Sequence, residues 1–171
     1  MMRAINPQEL KELYYKDFPL WVEVNLELLK EKAYEYVDWE NLLEEIRDMG
    51  QRHLDSVISY LAVILEHLYK WDHFRSLVAE RQSVSIERVG YSWIKTVENA
   101  RTDIETILDD YPSLRKKLPM ELERAWRYAR SNIIKWLREN DLNPEEFQLP
   151  RECPYTYEEA ISRNLRKELK S

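Results

Sequence analysis

The chain has 171 residues, 44% of them hydrophobic and 34% charged, with a net charge of −6. That length suits one domain with a full hydrophobic core, and that balance excludes both an apolar-poor disordered chain and a membrane protein. Two glycines, Gly50 and Gly90, are too few for the turns of a sandwich or barrel or for a phosphate-cradling loop, which leaves an all-helical fold.

Asn6, Pro7 and Glu9 read as a helix start, with Asn6 capping free amides, Pro7 in the first helical position and Glu9 closing a capping box. Leu10, Leu13, Tyr14, Trp21, Val24 and Leu28 come next at helical spacing. Asp17 falls on that stripe just before Phe18 and Pro19; a buried catalytic acid is one reading, and the N-cap of a helix restarting after a kink is the preferred one.

Asp38 is the expected cap of a second, long helix running to about Trp71, in which Trp39, Leu42, Leu43, Ile46, Met49, Leu54 and Val57 share one broad apolar arc. Gly50 lies in that arc. A glycine in mid-helix costs about 1 kcal/mol relative to alanine, so its position predicts close approach by Trp21 or Trp93 and overpacking on Gly50→Leu. From Asp72 to Gly90 no clear period is present until Ile86, and this stretch is expected to form a longer connection, with Ser83 or Ser85 capping the next helix. That third helix carries Ile86, Val89, Trp93, Val97, Ala100, Ile104 and Ile107 on one side.

Pro112 and Pro119 bracket a short turn, after which a fourth helix to Asn140 presents Leu122, Ala125, Trp126, Ala129, Ile133, Trp136 and Leu137. Residues 141–154 form a loop, and Thr156 with Glu159 makes a capping box that opens a short last helix. The expected architecture is therefore all-α, an antiparallel bundle of four main helices with an additional short C-terminal helix, in a single domain over residues 1–171. The six tryptophans are expected in the core rather than around a ligand.

The segment Trp39-Glu40-Asn41-Leu42-Leu43-Glu44-Glu45-Ile46-Arg47-Asp48-Met49-Gly50 resembles the signature of the prokaryotic family catalogued as domain of unknown function 29. Asp17-Phe18 with Trp21, Leu65 to Trp71, Ser92-Trp93 with Thr96, Tyr111 to Leu114, and Cys153 to Thr156 match it in order, so the resemblance extends over nearly the whole chain. The stretch between Trp71 and Ser92 looks longer than the family usually has. The resemblance implies an all-helical fold and carries no catalytic residues with it.

The first thirty residues hold no apolar stretch with a small-residue cleavage site, and no uncharged run of 18 residues occurs, so a cytoplasmic protein without membrane contact is expected. Cys153 is the only cysteine, which precludes an internal disulfide and suits a reducing compartment. Abundant Glu, Lys and Arg beside four Gln is a composition found in thermophile proteins.

Candidate chemistry is sparse. His53 on the apolar arc, or His67, together with Glu45 or Asp17, is the arrangement from which an acid/base or metal-assisted site in the bundle would be built. No Glu-x-x-His pair, Gly-x-Ser-x-Gly elbow, His-Glu-x-x-His or glycine-rich phosphate loop accompanies them. A satisfied core histidine is thus the expected role of each, and neither a metal nor a cofactor is expected.

Asn41, Glu44, Glu45 and Asp48 fall opposite the apolar arc, where they form either a solvated face or a surface that meets a partner. Residues 1–72 hold 8 basic and 15 acidic side chains, whereas 113–140 hold 8 basic and 3 acidic. Lys116, Lys117, Arg124, Arg127, Lys135 and Arg138 gather on one side of the fourth helix, a stripe suited to acidic side chains of a neighbouring helix or second subunit, and less so to nucleic-acid phosphates. A non-enzymatic helical interaction or regulatory module, self-associating or bound to another protein, is the expected function.

Overall fold

The computed structural model describes residues 5–169, and they are all-α, as the periodicity predicts. The elements in chain order are α1 (Pro7–Lys16), α2 (Phe18–Lys30), α3 (Trp39–Gln82), α4 (Ile86–Asp110), α5 (Leu114–Lys117), α6 (Leu122–Glu139), α7 (Tyr157–Ser162) and α8 (Leu165–Leu169). Short 3-10 turns lie at Tyr34–Tyr36, Leu118–Glu121 and Pro144–Phe147. The chain gathers into two compact units, residues 1–52 and 53–171.

Local capping sets most helix starts. Asn6 accepts the amide of Glu9 at 2.8 Å, and Ser85 accepts that of Arg88 at 3.1 Å. Thr156 and Glu159 exchange both bonds of a capping box. Asp17 accepts the amide of Leu20 at 3.2 Å, so the kink between α1 and α2 is a single residue that ends one helix and caps the next.

Three helix ends explain how the fold manages with two glycines. Lys32, Ser83 and Asp141 adopt φ values of 60°, 52° and 57°, the left-handed conformation that glycine usually fills after a helix. The paired bonds Ala33 N to Leu28 O with Lys32 N to Leu29 O, and Val84 N to Ala79 O with Ser83 N to Glu80 O, close α2 and α3 in Schellman motifs. Leu142 N to Leu137 O with Asp141 N to Arg138 O does the same for α6.

The expected long connection after Trp71 is instead helix. α3 runs for 44 residues, about 66 Å, because Phe74 and Ala79 bury themselves one and two turns beyond Trp71. Only 83–85 separate it from α4. In the C-terminal unit His53 stacks on Tyr111 near the end of α4, which makes α3 and α4 antiparallel, while Asp55 meets Arg124 and Phe74 meets Trp136, so α6 runs parallel to α3 and antiparallel to α4. Leu61, Leu65 and Leu68 of α3, Ile94 and Ile104 of α4, and Trp126, Ile133 and Leu137 of α6 are buried together.

The close approach by a tryptophan expected at Gly50 is found at Gly90 instead, where an added Cβ would stand 2.6 Å from Trp71. Gly50 is exposed, and a Cβ built on it meets no heavy atom within 4 Å. Among the described residues no aromatic ring crosses there, and the overpacking expected of Gly50→Leu finds no partner. Gly50→Ala should raise stability by up to about 1 kcal/mol through helix propensity alone, read as a higher denaturation midpoint at unchanged slope. A lower midpoint would show that the glycine is needed.

Among the tryptophans, Trp21, Trp71 and Trp126 are buried and Trp93 and Trp136 partly so, whereas Trp39 is exposed and donates its indole N–H to Tyr34 O at 2.7 Å.

Candidate functional site

In the N-terminal unit the small core of Leu10, Trp21 and Val24 is fastened by buried polar groups. Asp38 accepts the Trp21 indole N–H at 2.9 Å and the Asn41 side-chain amide at 2.7 Å. Asn25 accepts the Asp38 backbone N–H at 2.9 Å and donates to Trp21 O at 2.8 Å. A buried carboxylate is tolerated because its oxygens and its neighbours' donors are matched in this way. Asn25 escapes a reading by motif; its only signal is a polar residue on the buried stripe, four after Trp21.

Glu45 accepts the Tyr14 hydroxyl of α1 at 2.5 Å. That hydrogen bond, aided by desolvation and by the nearby charges of Glu45 and Asp48, pushes the Tyr14 phenol up to about 12. Glu44 pairs with Arg47 on the surface, and Asp48 is exposed. Asn41 and Glu45 therefore serve the join between helices, and the polar side of this stretch of α3 faces α1 instead of standing wholly in solvent.

The apolar side consequently faces outward. Leu43, Ile46 and Met49 are 55%, 54% and 61% exposed. At 100° per residue they lie within one 120° arc, about a third of the helix circumference. Only Leu42 of this turn packs on the N-terminal core. Of the large hydrophobic side chains left exposed in the described residues, the unit also holds Tyr15, Phe18, Leu20, Val22, Leu26, Tyr34, Tyr36 and Trp39. Two adjoining depressions lie along α1 and α2. One, of about 480 Å³, is bordered by Ile5, Glu9, Glu12, Leu13, Lys16, Leu20 and Val24. The other, of about 390 Å³, shares Leu20 and is bordered by Asp17, Pro19, Val22, Glu23 and Leu26.

The histidine candidates sit apart on α3, fourteen residues or about 21 Å from one another. His53 lies flat on the Tyr111 ring, centroids 4.0 Å apart. His67 places Nδ1 2.8 Å from Val63 O, a geometry that requires the Nδ1–H tautomer. Burial pushes its pKa below the usual histidine value, partly opposed by the charge of Glu66, so the ring is neutral near pH 7. Glu66 is committed to Lys70 at 2.9 Å, and the Lys70 ammonium lies 4.6 Å from the Trp136 ring centroid. Among the described residues, no three His, Cys, Asp or Glu side chains gather closely enough to hold a metal ion.

In the basic stripe, Arg124 reaches Asp55 of α3 at 3.2 Å and Lys135 lies 3.9 Å from Glu139. Lys116, Lys117, Arg127 and Arg138 are exposed. The neighbouring-helix reading thus has one clear instance, at Arg124.

A contact set that motif reading missed ties the C-terminal segment to the bundle. Arg163 grips both oxygens of Asp72, at 2.6 and 2.9 Å, and also pairs with Glu168; the Tyr155 hydroxyl donates to Asp72 at 2.7 Å. Arg101 of α4 donates to the carbonyls of Ala160 and Arg163, each at 2.9 Å, completing the end of α7. Arg166 forms a two-pronged pair with Glu98.

No described helix is long and apolar enough to cross a membrane. A family model described as a domain of unknown function, DUF29, matches residues 13–165, nearly the whole chain. No curated protein and no solved structure matches it.

Proposed function

The chain belongs to the DUF29 family, and from that premise we propose that it is a non-enzymatic helical protein-interaction module of the cytoplasm, acting as one domain through its N-terminal residues. The observation that carries this reading is the outward apolar face of Leu43, Ile46 and Met49 on a helix whose polar side is turned toward α1. Covering three half-exposed side chains of this size gains about 1 kcal/mol each, and contiguous apolar surface of that kind marks association sites. Asn41, Glu44, Glu45 and Asp48 act beside this face, two of them by holding α3 in register and two as its charged border. The single cysteine of the sequence suits a reducing compartment, and burial pushes the Cys153 thiol up to about 11, which keeps it in its unreactive protonated form.

Light scattering of the pure chain, and affinity capture from its native host, each compared with the Leu43→Gln/Ile46→Gln/Met49→Gln variant, test the proposal. The expected result is a complex with itself or with one reproducible protein, lost in the variant while its helical circular dichroism persists. A wild-type chain that stays a 20.9 kDa monomer and captures nothing the variant does not would overturn it.

A further inference from the structure

The two depressions on α1 and α2 share Leu20, which is 36% exposed. Their common floor is aliphatic, with Leu13 and Val24 on one side of Leu20 and Val22 and Leu26 on the other. Such a floor, continued along a helix hairpin, suits side chains arriving at helical spacing better than it suits one compact small molecule.

The described rim is predominantly acidic. Among the described residues, Glu9, Glu12, Asp17 and Glu23 border the two depressions against one cation, Lys16, which is itself 3.3 Å from Glu12. This imbalance chooses among occupants. An anionic membrane surface or a nucleic-acid phosphate would be repelled. A second copy of this unit would bring like charge, since residues 1–52 hold 7 basic and 12 acidic side chains.

We propose that the α1–α2 groove receives an amphipathic helix from a partner protein, its apolar side seated on Leu20 and its Lys/Arg-bearing flank against Glu9, Glu12, Asp17 and Glu23. The inference rests on the reading of the N-terminal unit as an interaction surface, but it uses a face other than that of Leu43, Ile46 and Met49. Apolar anchors supply the affinity and the charges supply orientation and salt sensitivity.

The test uses the full chain and three fluorescein-labelled 18-residue helical peptides. One carries Leu at i, i+3, i+4 and i+7 with Lys and Arg on its flanks, the second has Glu in place of those cations, and the third has Ser in place of the leucines. Only the first is expected to bind, more weakly as salt rises. Its affinity should fall at least tenfold with Leu20→Lys and again with Glu9→Lys/Glu23→Lys, each variant checked by circular dichroism. Binding to no peptide, equal binding to the first and second, or binding that Leu20→Lys leaves unchanged would overturn the groove assignment. The association test on the Leu43 face stands separately, so the two can fail independently.

Discussion

Asp72→Ala should destabilise the C-terminal unit by about 2–3 kcal/mol, because it removes the partner of a guanidinium and a phenol at once. The carboxylate binds Arg163 through both oxygens and accepts the Tyr155 hydroxyl, and the facing side chains of Arg163 and Asp72 are 21% and 27% exposed. Tyr155 is buried, so its hydroxyl would lose its acceptor inside the protein. The effect should also carry a pH signature. Burial works against ionisation of Asp72, but the hydrogen bonds from Arg163 and Tyr155 outweigh it and hold the carboxyl below its ordinary value. A carboxyl depressed by folding contributes stability above its unfolded pKa of about 4 and loses it as pH falls through the folded value. The gap between wild type and Asp72→Ala is therefore expected to be full at pH 7 and to narrow below about pH 4. Denaturant titrations at several pH values measure it; a gap that is absent, or that widens on acidification, would mean that apolar contacts of Ala160 and Leu165 alone hold the segment.

Gly90→Ala should lower stability by roughly 1–3 kcal/mol, the opposite of the result expected at Gly50. A Cβ on Gly90 would stand 2.6 Å from Trp71 Cζ3 and 3.2 Å from Leu169 Cδ1. The ring cannot retreat cheaply, since Trp71 is 2% exposed and the Arg75 guanidinium lies over it at 4.0 Å. Alanine gains about 1 kcal/mol in helix propensity, and the crowding must exceed that. A double-mutant cycle with Trp71→Leu isolates the contact: the penalty should shrink once the ring is gone. Gly90→Ala melting above the parent would show that α4 can shift away from α3.

The fold was legible wherever the signal was local. The caps at Asn6, Asp17, Ser85 and Thr156 each show as a short polar side chain before an apolar run, and the structure contains each bond. Periodicity was less informative at Leu43, Ile46 and Met49, because a helical wheel shows which residues share a face but not which face turns inward. Here Tyr14 and Asp38 claim the polar side through Glu45 and Asn41. The extension of α3 to Gln82 was hidden for a related reason: its stop is Ser83 in a left-handed conformation, and serine does not announce that geometry as glycine would. Gly90 carries no local mark at all, since its neighbours Trp71 and Leu169 lie far away in sequence. The pairing of Asp72 with Arg163 is hidden in the same way.

The same pairing bears on how the protein is made. Asp72 and Arg163 are 91 residues apart, and Arg101 waits for carbonyls about 60 residues further on. At a synthesis rate of 5–20 residues per second, roughly 5–20 s pass between the appearance of Asp72 and that of its partner. Helices form in about a microsecond, so once synthesis has passed Asp110 both α3 and α4 are complete and wait for the residues up to Arg163, still lacking the Ala160 and Leu165 side chains that complete their core. The time during which the new chain is open to unwanted association is thus set by the ribosome rather than by the helices.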